Sequence, residues 1–222
     1  MKILCISDWI ESVIYSDQMK YRMADVDMII SCGDISTGYL DFIMSELNKP
    51  LYYVVGNHLT NKNIKKNYLG QIITEIPACF KNLHLKFCNQ NGVLLTGFQG
   101  TIWYNGGPFQ YKQWEVYLKL FKLIPRLIYN KIKYGKYLDI FVAHSAPYKV
   151  GDLDDLCHTG LKAFNLFIKI FKPKLFLHGH IHIHDRNQNR ERLYYDTRVI
   201  NCSGYLKVEF DSLQMGGQEK NS

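Results

Sequence analysis

The sequence contains no long apolar run. Its most continuous stretches, such as Leu138 to Ala143, fall far short of the roughly 20 residues that a helix needs to cross a bilayer. A membrane-spanning segment is therefore not expected. A cleavable secretory leader is not expected either, because Asp8 and Glu11 interrupt the region that would follow Met1-Lys2 and no small-residue cleavage site comes after. The expectation is a cytoplasmic protein with no membrane partner. Paired cysteines are missing too. The six cysteines stand singly at 5, 32, 79, 88, 157 and 202, without the C-x-x-C spacing of a zinc knuckle or redox pair. Reduced thiols follow, with Cys5, Cys32 and Cys202 acting as small hydrophobes inside strand-like runs. No repeat of solenoid length is present.

Neither polar nor apolar residues dominate. Hydrophobic residues make up 47% and charged residues 21%, which excludes a disordered or fibrous chain. A length of 222 residues suits one domain with a sizeable core. That domain is expected over 1–214, with the aperiodic stretch 215–222 fraying as a tail. The net charge of +7 fits an anionic substrate, nucleic acid, or simply a lysine excess that keeps the chain soluble. Seven basic residues lie between Lys112 and Lys136 against one acid, Glu115, and read as a solvated helix face.

Short apolar strands are expected at 2–7, 28–32, 51–55, 92–97, 138–143, 174–178, 198–202 and 205–210, most too continuous to leave one face in water. Helices are expected at 12–24, 38–48, 110–134 and 158–171, with Pro125 kinking or splitting the third and Pro173 stopping the fourth. Strands alternating with helices imply a layered α/β architecture.

Five polar signatures follow these strands in order: Asp8, Gly33-Asp34, Gly56-Asn57-His58, His144 and Gly179-His180-Ile181-His182. Carboxylate, amide oxygen and imidazole are ligands that borderline divalent metals accept, and strand ends are where α/β scaffolds present them. A strand-like alternation through Gly179 to His182 would put His180 and His182 on one side. His84, His178 and His184 have no such context and read as packed or hydrogen-bonded residues. His158 follows an acidic loop, Gly151 to Asp155, that either approaches the site or caps the next helix. The aromatic group Trp103, Tyr104, Phe109, Tyr111 and Trp114 reads as loop packing, with base stacking as its alternative.

Taken together, the signatures resemble the calcineurin-like metallophosphoesterases, whose pattern runs D-x-H, G-D, G-N-H-[DE], H and G-H-x-H. The resemblance spans residues 3 to 204, and its specificity lies in the ordered set with G-N-H and G-H-x-H. It implies a four-layer α-β-β-α sandwich, two facing mixed sheets flanked by helices. It also implies two divalent metal ions, manganese foremost with iron, zinc or nickel as alternatives. Asp34 would bridge them, Asp8 and His182 would bind the first, and Asn57, His144 and His180 the second. His58 would contact the phosphoryl group and protonate the leaving oxygen, while hydroxide activated by the metals attacks. The implied activity is hydrolysis of a phosphodiester in a phosphorylated small molecule or nucleotide.

Two positions depart from that pattern. Ile10 stands where the first motif has a histidine, so the first metal site lacks a ligand that water or Glu11 would have to replace. Leu59 stands where an acid commonly follows G-N-H and orients the histidine. Some bacterial members of the superfamily are similar in lacking that first histidine while sharing G-G-P-x-Q-Y and C-H-x-G stretches, here Gly106 to Tyr111 and Cys157 to Gly160. The departures leave open a binding or scaffold module with lost catalysis, and the charge leaves open a nuclease.

Overall fold

The computed structural model describes residues 1–58, 77–183, 185 and 187–211, together with two short strands between 59 and 76. In its first half the chain runs β1 (Lys2–Ser7), α1 (Met19–Arg22), β2 (Met28–Ser31), α2 (Thr37–Leu47), β3 (Leu51–Tyr53), β4 (Ile64–Lys66), β5 (Ile72–Thr74), β6 (Lys81–Asn82), β7 (Cys88–Gln90) and β8 (Val93–Phe98). It continues through β9 (Thr101–Ile102), β10 (Gln110–Tyr111), α3 (Gln113–Phe121), α4 (Ile124–Tyr134), β11 (Ile140–Ala143), α5 (Lys162–Phe171), β12 (Leu175–His178), β13 (Glu191–Tyr194), β14 (Thr197–Asn201) and β15 (Gly204–Glu209).

Two large mixed sheets face each other. The first has the order β15-β1-β2-β3-β6 and the second β13-β14-β12-β11-β8-β7. Within the first, β1, β2, β3 and β6 are parallel and β15 closes the edge antiparallel. Within the second, β8, β11, β12 and β14 are parallel and antiparallel strands close both edges. Side-chain alternation along a strand then divides the core into three seams. Ile3, Cys5, Met28, Ile30, Ile140, Val142, Leu175 and Leu177 fill the space between the sheets. Leu4, Ile6 and Ile29 turn outward to α1 and α2. Phe141, Ala143 and Phe176 turn outward to α3, α4 and α5. The result is the α-β-β-α sandwich that the resemblance implied.

Three helix expectations need correction. Over 12–24 only Met19–Arg22 is helical. The Ser16 hydroxyl donates to the Val13 carbonyl and the Glu11 carbonyl accepts from both Ile14 and Tyr15, so local turns displace the helix. The 110–134 stretch opens with β10 and is broken at Lys122-Leu123, whose N–H groups bond three residues back. Pro125 sits in the first turn of α4, where its missing N–H costs nothing. The fourth helix begins at Lys162 rather than at His158. Asp152 accepts the Gly160 N–H and Asp155 the His158 N–H, so the acidic loop caps its own turns. The tail at 215–222 lies outside the described residues, as do Leu59 and His184.

Candidate metal centre

The signatures emerge from the carboxyl ends of parallel strands: Asp8 after β1, Gly33-Asp34 after β2, Asn57-His58 beyond β3, His144 directly after β11, and His180 two residues beyond β12. Both sheets therefore contribute to one edge. The chain must turn sharply there, and Asp8, Asp34 and His180 all adopt left-handed backbone angles, with φ of 73°, 55° and 66°. Aspartate and histidine tolerate that region better than most residues. Gly56 is required for another reason: a Cβ there would lie 2.0 Å from Asp34 Oδ1. Its bare Cα lets the Asn57 loop close over the carboxylate.

His144 Nε2 lies 3.1 Å from Asp34 Oδ2 and 3.1 Å from Asn57 Oδ1. Ligand atoms of Asp34, His144 and His180 all fall within 4.8 Å of one another. Backbone carbonyls set the ring orientations. His144 Nδ1 donates to the Cys32 carbonyl at 2.7 Å, and His180 Nε2 donates to the Cys157 carbonyl at 2.8 Å. Each imidazole thus keeps its other nitrogen for the centre, the arrangement in which histidines bind metals. Asn57 is oriented likewise, because its Nδ2 donates to the Tyr104 hydroxyl at 2.9 Å. His58 is exposed at the mouth, tied to the centre by its N–H, which donates to Asp34 Oδ1 at 2.8 Å.

The electrostatics of the cluster follow from burial set against opposite charge. Burial alone would raise the Asp34 carboxyl, but the charge and hydrogen bond of His144 outweigh it and hold the group down at about 2. Burial would lower His144, yet the charges of Asp34 and Asp8 and the Asp34 bond carry it up to about 9. His180 goes the other way, down to about 3, through burial and the neighbouring His144 charge. Asp8 is raised chiefly by burial. One of its oxygens accepts the His180 N–H at 2.9 Å, while Oδ2 is buried with no partner. A buried carboxylate oxygen without a donor is costly unless a positive charge satisfies it. The donor set and this orphaned oxygen fit a divalent metal.

Not every expected residue joins the cluster. The segment 179–183 is not extended, and the left-handed turn at His180 separates the two histidines. His182 is exposed, packed edge-on against Trp9 with ring centroids 5.4 Å apart, yet near enough to act on the Asp8 charge. Ile10 is 51% exposed and offers nothing. The Glu11 carboxylate accepts the Trp9 indole N–H at 3.0 Å and lies against Gly204. His158 is held by the Asp155 carboxylate, 2.9 Å from its Nδ1, and its ring centroid is 4.9 Å from that of His180. His178 is buried with Nδ1 donating to the Gly179 carbonyl, and His84 accepts the Gln99 N–H.

Sequence reasoning read Tyr104 as loop packing or base stacking and missed its hold on Asn57, and it missed the Cys157 carbonyl. No residue-type signal marks a backbone carbonyl. Tyr104 is set by the loop before β10, where Gln110 Oε1 accepts the N–H groups of Tyr104, Asn105 and Gly106. The G-G-P-x-Q-Y stretch therefore positions a ligand-orienting hydroxyl.

Comparison with known proteins bears on the fold and the family. No curated protein matches the chain by sequence. One solved structure is similar over 93% of this chain and 94% of its own, at a TM-score of 0.60 and 17% identity. The protein TT1561 of Thermus thermophilus is similar over 91% of this chain and 89% of its own, at 0.56 and 17%. GAP50, described as the anchor in the inner membrane complex of Plasmodium, is similar over 91% and 71%, at 0.51 and 16%. At such identities the likeness concerns the fold. The profile of the calcineurin-like phosphoesterase family, whose members bind divalent metals and hydrolyse phosphoesters, matches residues 1–184. The chain belongs to the calcineurin-like phosphoesterase family.

Proposed function

We propose that this chain is a metal-dependent phosphodiesterase acting on a phosphorylated small molecule or nucleotide. The convergence of Asp34, Asn57, His144 and His180 beside the unpartnered Asp8 oxygen carries the reading. Asn57, His144 and His180 would hold one cation, Asp34 would bridge to a second, and Asp8 with His182 would hold that second one. Bound divalent cations supply charge neutralisation for an incoming phosphate and make water acidic enough to act near neutral pH. Manganese suits the mixed oxygen and nitrogen donors, as do iron, zinc and nickel.

The chain's own groups do the rest. The Cys32 and Cys157 carbonyls and the Tyr104 hydroxyl keep His144, His180 and Asn57 aimed inward. His58, whose backbone N–H donates to Asp34 at the exposed mouth, would give an imidazole proton to the leaving alkoxide. Ile10 would leave the cation at Asp8 and His182 with a thinner ligand set, and with Glu11 accepting from Trp9, solvent would complete it.

The same observations favour one alternative, a binding module that keeps the fold without turnover, since Ile10 and the Trp9–His182 contact weaken that half of the centre. Hydrolysis of bis(p-nitrophenyl) phosphate across a manganese titration, with metal content measured alongside, separates the two. Saturable turnover that falls by about 10² to 10⁴ in His58→Ala supports the hydrolase. Full metal occupancy without turnover of any phosphate ester rejects it in favour of the binding module.

A further inference from the structure

The helical layer over the second sheet carries apolar residues on both sides. One side forms the core through Val116, Leu120, Leu127, Phe164 and Phe167. The solvent side has a second set at helical spacing. On α3 it is Trp114, Leu118 and Phe121, on α4 Ile128 and Ile132, and on α5 Leu166 and Ile170. Their exposures run from 46% for Leu166 to 81% for Ile132. An open groove of about 240 Å³ joins α3 to α5 and the start of α4, and Leu118, Phe121, Leu166 and Ile170 line it together. Residues at i, i+4 and i+7 share one side of a helix, which makes each set a stripe rather than a scatter. Isolated exposed apolar residues are ordinary, whereas a contiguous patch of this kind marks an interaction surface.

The same helices are strongly cationic. Residues 112–136 carry seven basic residues against Glu115, and 162–174 carry four lysines and no acid. Lys112, Lys122, Arg126, Lys131 and Lys133 are all exposed. A second copy of this chain would bring cationic face against cationic face, which disfavours self-association. A single acidic partner helix would fill the α3–α5 groove and leave Trp114, Ile128 and Ile132 in water. An anionic lipid surface satisfies both features at once. Aromatic and aliphatic side chains enter the headgroup boundary while lysine and arginine heads reach the lipid phosphates.

We propose that the face formed by α3, α4 and α5 binds anionic membrane surfaces peripherally. Among the described residues no helix is long and apolar enough to cross a membrane, so the association is interfacial and reversible. It recruits the phosphoesterase domain to a surface and is independent of which phosphoester the centre cleaves.

Flotation of the full chain with vesicles of phosphatidylglycerol and phosphatidylcholine, beside vesicles of phosphatidylcholine alone, tests this. The expected result is binding to the anionic vesicles only, weakened at least tenfold between about 0.1 and 0.5 M salt. Lys122→Gln with Arg126→Gln is expected to weaken it about 30-fold. Leu118→Ser with Phe121→Ser is expected to weaken it at least about tenfold. All four side chains are exposed, so the fold should survive, and circular dichroism checks that it does. Tyr21→Ser, an exposed aromatic on α1 in the opposite helical layer, should bind as wild type. Absence of flotation with anionic vesicles at low salt overturns the proposal. So does equal loss in Tyr21→Ser, or a concentration-dependent dimer that the Leu118 and Phe121 changes dissolve.

Discussion

Gly56→Ala is the sharpest probe of how the centre is assembled. A Cβ at this position would lie 2.0 Å from Asp34 Oδ1, 2.3 Å from Asp34 Cγ and 2.8 Å from the Asp34 nitrogen. Ordinary contacts between such atoms are about 3.5 Å, so the carboxylate or the Asn57 loop must shift by more than about 1 Å. Neither is free to follow. Asp34 Oδ2 faces His144 and Oδ1 accepts the His58 N–H, while the loop is held through Asn57 and Tyr104. Overpacking of this kind costs about 1–3 kcal/mol. For a domain of this size that lowers Tm by about 2–12 °C. The displaced carboxylate is the proposed shared ligand, so manganese affinity is expected to fall at least about 10- to 100-fold. Thermal unfolding with and without manganese reads both effects. In wild type, metal at about 100 times its Kd should add about 2.7 kcal/mol, and in the variant at the same concentration only about 0.4–1.4 kcal/mol should remain. A Gly56→Ala protein with wild-type Tm and an undiminished metal increment would refute the idea that close packing on Asp34 builds the site.

Tyr104→Phe removes only the hydroxyl that accepts from Asn57 Nδ2. The variant should lose about 1 kcal/mol of stability and about tenfold in manganese affinity by calorimetric titration, and unchanged affinity would show that the amide needs no external orientation. His84 supplies a pH prediction away from the metal ligands. Burial, aided by the charges of Lys119 and Lys86, lowers its pKa to about 4. The unfolded chain therefore takes up a proton near pH 6.5 that the native state refuses. Stability should fall as pH drops from about 6.5 to about 4, by up to about 3 kcal/mol, and change no further from this source below that. His84→Gln keeps an acceptor for the Gln99 N–H and should flatten the dependence of Tm on pH over that window; a parallel curve would remove His84 as its cause.

The layers of this fold were legible because most strands are buried on both faces. Runs such as Lys2–Ser7 and Leu175–His178 pack one set of side chains between the sheets and the other set under helices. Those strands and the polar residues that end them could be read directly. Short strands such as Lys81–Asn82 and Thr101–Ile102 could not, since two residues carry no period. The helices were misjudged where polar side chains capture the backbone, as Ser16 does before α1 and Asp155 does before α5. Leu166 on α5 is apolar yet faces solvent at 46% exposure, because apolar character alone does not say which side of a helix a residue takes. At the centre, Asp8, Asp34, Asn57, His144 and His180 lie together, and His182 stands across the turn, near enough to act on the Asp8 charge. A period-2 expectation fails once one residue turns left-handed.

That left-handed turn belongs to a wider economy at this edge. Asp8, Asp34 and His180 hold φ values of 73°, 55° and 66°, each costing about 1–3 kcal/mol unless the surroundings enforce it. Glycine would relieve the strain but would carry no ligand. The enforcing contacts all cross between strands: the Asp8 N–H donates to the Gly33 carbonyl, the His180 N–H to Asp8 Oδ1, His144 Nδ1 to the Cys32 carbonyl, and the Gly179 N–H to the His144 carbonyl. Two of these, from His180 to Asp8 and from His144 to Cys32, join the first sheet to the second. The candidate ligands are therefore also the stitches that close the sandwich at its carboxyl edge. The backbone strain is thus met by bonds between the sheets, and a divalent metal would satisfy the charge of the buried Asp8 oxygen.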